Sequence, residues 1–109
     1  MECYVKIMIK KNGVICFGPG VIWLLKEIEK TGLVSEAAKN LELSYSKAWT
    51  IIRNAEGGLG ETLVERASGG AKGGHSALTE NAREYIKAFD KTAKEIEAFA
   101  QKAVLENFG

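Results

Sequence analysis

Residues 44–54 carry hydroxyl, ammonium, guanidinium and amide groups at the spacing of one helical face. This face contains no carboxylate and consists of Ser46, Lys47, Thr50, Arg53 and Asn54. The opposite face follows positions i, i+3, i+4 and i+7 and is apolar, with Tyr45, Ala48, Trp49 and Ile52. Side chains of the polar kind bind phosphates and base edges in nucleic acids. The alternative interpretation of the same pattern is a solvated helix face without a ligand.

The composition restricts where a nucleic acid can bind. The chain has 109 residues, enough for one domain with or without an appendage, and 46% of them are hydrophobic. Fifteen basic and fourteen acidic residues give a formal charge of +1, so a nucleic acid must be bound by a local patch. Cys3 and Cys16 are too few for a disulfide framework or a metal site. No apolar run reaches the roughly 18 residues of a membrane helix and no signal-peptide layout is present, so we expect a cytoplasmic protein without membrane contact.

The first third of the chain predicts a hairpin followed by a helix. Strand-like runs at residues 4–9 and 14–17 flank Asn12-Gly13, which is typical of a two-residue turn because both positions need positive φ. Pro19 suits the first turn of a helix over residues 19–31, which ends at a glycine. The residues that this helix is expected to bury, or a subset of them, are Ile22, Trp23, Leu25 and Ile28.

The next segment predicts a helix-turn-helix. Ser35 is expected to cap a short helix, with Glu36 in its first turn. Residues 41–43 form the turn, and Ser44 caps the second helix, which we place at residues 44–56. Two helices joined by about three or four residues are typical of a helix-turn-helix whose second helix enters the major groove.

A β-hairpin wing is predicted at residues 62–78. Residues 62–66 are strand-like, a glycine-rich tip follows, and residues 76–78 form a short return strand. A hairpin directly after a recognition helix is the wing of a winged helix. We expect Lys72 and backbone N–H groups of the wing to lie against phosphates.

Three side chains near this surface differ in their expected placement. Trp49 is expected in the core, because it lies on the apolar stripe and has only an N–H group to satisfy. Tyr45 either packs inward or offers its hydroxyl to a phosphate. His75 is either a loop residue without a special role or a phosphate contact.

The last helix predicts an interface between two copies of the chain. Thr79 is expected to cap it, and it spans about 28 residues, roughly 42 Å. Apolar residues alternate along it in steps of four and three, as in a coiled-coil seam, and comprise Ala82, Ile86, Phe89, Ala93, Ile96, Ala100 and Ala103. The preceding helices are too short to cover this seam, so we predict a homodimer. An intramolecular bundle is the alternative.

These motifs resemble the N-terminal DNA-binding domain of molybdate-responsive ModE-type regulators and, more loosely, LysR-type regulators. The residues that carry the resemblance are Gly18-Pro19-Gly20, Gly32, Ser35-Glu36-Ala37-Ala38, Ser44-Tyr45, Ala48-Trp49, Leu59-Gly60, Leu63-Val64-Glu65-Arg66, Gly69-Gly70-Ala71-Lys72-Gly73-Gly74 and Leu78-Thr79-Glu80. The resemblance implies a homodimeric winged-helix transcription regulator that binds an operator with two-fold symmetry. Glu42 departs from the family, which commonly has glycine in this turn. Oxyanion-binding domains follow the long helix in such regulators, and they are not expected here, so molybdate sensing is not carried over.

The sequence therefore predicts an α+β winged helix-turn-helix with an N-terminal β-hairpin and a long C-terminal dimerisation helix. Its expected domains are a DNA-binding domain at residues 1–78 and a dimerisation helix at residues 79–109. The predicted partners are double-stranded DNA and a second copy of the chain, without catalytic residues, metal or cofactor. The predicted DNA-binding residues are Ser35, Ser44, Tyr45, Ser46, Lys47, Thr50, Arg53, Asn54, Arg66, Lys72 and His75.

A protein-interaction module is the alternative, in which the long helix pairs with a separate sensor chain. The segment 34–75 favours caution, because its basic residues are matched in number by glutamates. Fold resemblance alone does not establish DNA binding.

Overall fold

The computed structural model describes residues 1–66 and 75–109. The elements in chain order are β1 (Ile9–Lys11), β2 (Val14–Phe17), α1 (Pro19–Thr31), α2 (Val34–Asn40), α3 (Tyr45–Leu59), β3 (Val64–Arg66), β4 (Ser76–Leu78) and α4 (Glu80–Phe108). β1 pairs with β2 and β3 with β4, in both cases antiparallel. This order confirms the predicted α+β winged helix-turn-helix.

The N-terminal hairpin forms around the predicted turn, but its first strand is shorter than predicted. Asn12 and Gly13 have φ values of 53° and 75°, as a type I′ turn requires. The predicted strand at residues 4–9 is wrong for residues 4–8. The reason is that β2 ends at Phe17, which lies opposite Ile9, so the chain before Ile9 has no strand with which to pair.

Residues before β1 lie along α4 instead. The Cys3 N–H donates to Gln101 Oε1 at 3.4 Å, and Gln101 Nε2 donates to the Cys3 carbonyl at 2.7 Å. This N-terminal segment therefore contacts α4 at Gln101, which is not one of the predicted seam residues.

The core lies between α1, α2, α3 and the hairpin. α1 begins with Pro19 as predicted and ends at Gly32, whose φ is 74° and whose N–H donates to the Ile28 carbonyl at 2.8 Å. Leu24, Leu25 and Ile28 are fully buried, whereas Trp23 is 61% exposed. Trp23 therefore falls outside the buried subset, because it points away from the side of α1 that carries Leu24, Leu25 and Ile28.

α3 is longer than predicted, and its end at residue 56 is wrong. The helix continues to Leu59 and ends at Gly60, where φ is 74°. Gly58 does not end the helix but permits close packing: a Cβ atom there would lie 2.8 Å from Cys16 Sγ and 3.0 Å from Val14 Cβ. The hairpin thus packs directly on the backbone of α3.

α4 packs on its own chain near its start and is exposed further along. Thr79 caps it as predicted, accepting a hydrogen bond from the Ala82 N–H at 3.1 Å. Ala82 is the only buried residue of this helix, which is described throughout. Phe99 is 74% exposed, and Ile96 is 38% exposed. Among the described residues, no helix is both long and apolar enough to cross a membrane.

Candidate nucleic-acid interface

α2 and α3 form the predicted helix-turn-helix. The Leu43 N–H donates to the Ala38 carbonyl at 2.8 Å and closes the turn. Ser44 caps α3, because its Oγ accepts a hydrogen bond from the Lys47 N–H at 3.0 Å. Glu42 has a φ of 59°, so it occupies the left-handed region for which glycine is better suited. The departure from the family motif is therefore accommodated in the turn, at a cost on the order of 1 kcal/mol.

The predicted cap of α2 is wrong. The helix begins two residues earlier than predicted, at Val34, and Leu33 is the N-cap residue, without a side-chain hydrogen bond. Burial of Val34 against the core fixes this start. Ser35 is exposed in the first turn of α2. There it lines a small notch together with Tyr45, Arg66 and Ser76.

The outward face of α3 follows the predicted helical phase. Ala48 and Ile52 are buried, and the predicted polar face is exposed; it consists of Ser46, Lys47, Thr50, Arg53 and Asn54. The Thr50 hydroxyl donates to the Ser46 carbonyl at 2.9 Å, so its remaining capacity toward a ligand is as an acceptor. Within the described part of the chain, the Lys47 ammonium and the Asn54 amide make no hydrogen bond.

Arg53 is held by two neighbours on its own helix. Its Nη1 donates to Glu56 Oε1 at 2.7 Å, and its guanidinium carbon lies 4.5 Å from the centre of the Trp49 ring. The Arg53 side chain remains 57% exposed. It can therefore contact a ligand while it stays in this arrangement.

Glu56 is a residue of this interface that the sequence analysis missed. Its side chain is only 11% exposed, and its Oε2 accepts hydrogen bonds from the Leu63 and Val64 N–H groups at 2.8 and 3.2 Å. These bonds join the end of α3 to the start of the wing. The signal in the sequence is its position, three residues after Arg53 and shortly before the wing strand.

The aromatic residues of α3 connect the helix to the wing. Trp49 is half-buried and packs against the core rather than lying within it, so its predicted core position is met only in part. Tyr45 is 50% exposed, and its hydroxyl accepts a hydrogen bond from Arg66 Nη2 at 2.9 Å. Of the two orientations considered for Tyr45, the outward one is present.

The wing pairs in the register Val64↔Leu78 and Arg66↔Ser76. Its first strand begins at Val64 rather than at residue 62, because the Thr62 carbonyl accepts from the Thr79 hydroxyl at 2.8 Å and leaves the ladder. The Ser76 N–H donates to the Gly32 carbonyl at 2.8 Å, which ties the return strand to the end of α1. His75 is exposed beside this strand. Lys72 lies outside the described residues.

Residues 22–83, from α1 to the start of α4, match the family described as bacterial regulatory helix-turn-helix protein, lysR family. The chain belongs to this family. Its members are regulators, which agrees with the prediction that the chain is not an enzyme. In residues 1–66 and 75–109, no cluster of three or more His, Cys, Asp or Glu side chains is arranged to hold a metal ion.

Individual relatives confirm the ModE resemblance. The transcriptional regulator ModE of Yersinia pestis is 36% identical over 93 residues, which cover 85% of this chain and 35% of that protein. The DNA-binding transcriptional dual regulator ModE of Escherichia coli K12 is 33% identical over 94 residues, which cover 86% of this chain and 36% of that protein. The molybdenum-pterin-binding protein MopA of Rhodobacter capsulatus is 31% identical over 83 residues, which cover 76% of this chain and 31% of that protein. The chain spans about a third of the length of these relatives.

Proposed function

We propose that this lysR-type protein is a sequence-specific DNA-binding transcriptional regulator that acts as a homodimer. The observation that carries the proposal is the outward face of α3, where ammonium, hydroxyl and amide groups stand exposed beside the wing strand. α3 is the second helix of the helix-turn-helix, the element that enters the major groove in this architecture. The DNA-binding name of the Escherichia coli relative gives independent support.

The exposed residues divide by the chemistry that they offer. Asn54 offers the paired donor and acceptor that suit adenine, whereas Lys47 suits guanine or a phosphate. We assign flanking-phosphate contacts to Arg66 and His75 on the wing and to Ser35 on α2, because all three side chains are exposed. We keep Lys72 as a predicted phosphate contact of the wing.

The homodimer is proposed through α4. Ile96 belongs to the predicted seam and is exposed, and Phe99 extends the exposed apolar surface beside it. A near-neutral chain offers little general attraction to DNA, so two linked half-sites would supply affinity that one copy lacks. Half-sites one DNA turn apart would place the two recognition helices about 34 Å from each other.

A protein-interaction module that pairs with a separate sensor chain is the second candidate. The specific observation in its favour is the exposed indole of Trp23 on α1, outside the proposed DNA face. The two candidates differ in one requirement. A pure interaction module needs no basic side chain on α3.

Selection from a random double-stranded DNA library tests the proposal directly. We expect enrichment of a sequence with two inverted half-sites, followed by a gel shift with the recovered site. Lys47→Ala should weaken that binding about tenfold, for a contact of roughly 1 to 3 kcal/mol. Lys39→Ala is the matched control, because it removes the same charge from an exposed position on α2 and should change binding little. No enriched sequence, or equal effects of both lysine variants, would contradict the proposal.

A further inference from the structure

One indole ring contacts arginines from both parts of the proposed interface. The Arg53 guanidinium carbon lies 4.5 Å from the centre of the Trp49 ring, and that of Arg66 lies 4.6 Å from it. Both distances are within the range of a cation–π interaction. Arg53 lies one turn after Trp49 on α3, whereas Arg66 is the last residue of β3. Trp49 therefore links the recognition helix to the wing.

The two arginines depend on Trp49 to different degrees. Arg53 is also bound to Glu56, so a second group on its own helix fixes its position. Among the described residues, Arg66 donates a hydrogen bond only to the Tyr45 hydroxyl, and Tyr45 itself packs edge-on against Trp49 with ring centres 6.5 Å apart. Trp49 thus supports Arg66 directly through its face and indirectly through Tyr45.

An arginine held in this way is preorganised to bind an anionic ligand. A guanidinium has five N–H donors, and the bond to Tyr45 uses one of them. Arg66 is exposed at the outer end of the wing strand, so its remaining donors are accessible. Prior ordering of a long side chain reduces the entropy that is lost when it binds a phosphate or a base edge. The chemistry and the location match those of a DNA contact.

We propose that Trp49 is a positioning residue that, together with Tyr45, holds Arg66 in the orientation in which it contacts DNA. The inference rests on the proposed function. It differs from a role in core packing, because a packing residue would affect DNA binding only through the stability of the fold. Trp49 itself need not touch the DNA.

A double-mutant cycle separates these roles. Trp49→Leu, Arg66→Ala and the double variant are made in the full chain, and their affinities for the selected DNA site are measured by fluorescence anisotropy at one salt concentration. We expect each single variant to bind about tenfold more weakly than the wild type. In the Arg66→Ala background, the effect of Trp49→Leu should fall below about threefold, because the group that it positions is already absent. If Trp49→Leu weakened DNA binding by the same factor in the wild type and in the Arg66→Ala variant, the proposal would be overturned.

Trp49→Phe supplies the conservative rescue. Phenylalanine keeps an aromatic face, whereas leucine keeps apolar packing without one. We expect the Phe variant to bind DNA several-fold more tightly than the Leu variant when the urea midpoints of the two are equal. Affinities that follow the urea midpoints, irrespective of the aromatic face, would overturn the positioning role. DNA binding by the wild type together with unaffected binding by Trp49→Leu overturns this inference alone, whereas no binding by the wild type overturns the proposed function as well.

Discussion

The Glu56 carboxylate accepts a hydrogen bond from the Leu63 N–H at 2.8 Å and thereby joins the last turns of α3 to the start of the wing. The same oxygen accepts a second bond from the Val64 N–H. Val64 and Leu78 of the wing strands are buried in the core, and the bonds to Glu56 add a polar attachment to this packing. The relative placement of recognition helix and wing is therefore determined in part by one carboxylate.

Replacement of Glu56 by alanine should destabilise the protein. The substitution leaves two half-buried backbone N–H groups without their acceptor, which costs about 2 kcal/mol in the free energy of unfolding. The ion pair with the exposed Arg53 adds little, because water screens it. Urea unfolding measures the change. Glu65→Ala removes the same charge from an exposed position on β3, and an equally large loss there would show that Glu56 has no special role.

Glu42→Gly should stabilise the protein by up to about 1 kcal/mol, because glycine adopts the observed φ of 59° without a Cβ clash. The midpoint of thermal unfolding should rise accordingly. Glu36→Gly is the control: it removes the same exposed side chain from a helical position, where glycine costs about 1 kcal/mol. A decrease in stability for Glu42→Gly would contradict the argument from the turn.

Short-range signals account for what the sequence predicted correctly. Ser44 and Thr79 are helix caps, and Asn12-Gly13 is a turn, because each of these structures is decided by the residue itself and a few neighbours. The helical phase of α3 followed from periodicity, and the family motif followed from the same local pattern. These features placed the polar residues of the candidate interface on the exposed face of the helix.

Long-range contacts account for what the sequence did not predict. The predicted end of the helix at residue 56 left out Gly58, whose lack of a side chain allows the close approach of Cys16 from the hairpin. The position of residues 4–8 depends on where β2 ends and on Gln101, which is far away in the chain. The role of Glu56 depends on the wing backbone. The first two relationships have no signature within a few residues of the position concerned, and the signal at Glu56 is limited to its spacing from Arg53 and from the wing strand.

The hydrogen bond between Tyr85 of α4 and Glu61, which lies between α3 and β3, should make the stability of the protein fall at alkaline pH. The Tyr85 hydroxyl donates to the Glu61 carboxylate, and this hydrogen bond, with burial and the nearby negative charge, raises the pKa of Tyr85 above its ordinary value of 10.0. Folding thus favours the protonated phenol. Its contribution is fully present below pH 10 and is lost as the pH rises through the raised pKa of the folded state.

The measurement compares the wild type with Tyr85→Phe. The wild type should have the higher urea midpoint at pH 8, and this difference should shrink as the pH is raised above 10. Tyr4→Phe is the control, since the Tyr4 ring is 95% exposed and should leave the midpoint unchanged at either pH. A difference between wild type and Tyr85→Phe that stays constant up to pH 11 would rule out the linkage.

Ile96→Lys should convert the proposed dimer into monomers. Ile86 and Phe89, the seam residues nearer the core, are poorer sites for this test because both pack against the core of their own chain. Ile96 lies beyond that contact and is exposed, so a lysine there costs the single chain little but would place two ammonium groups in an apolar interface. Glu95→Gln changes the net charge by the same amount at a neighbouring exposed position and should preserve the dimer.

Light scattering gives the mass of each variant. An Ile96→Lys variant that remains dimeric would place the interface elsewhere. A wild type that is monomeric at the concentrations used would remove the interface, and the arrangement of two half-sites would lose its basis.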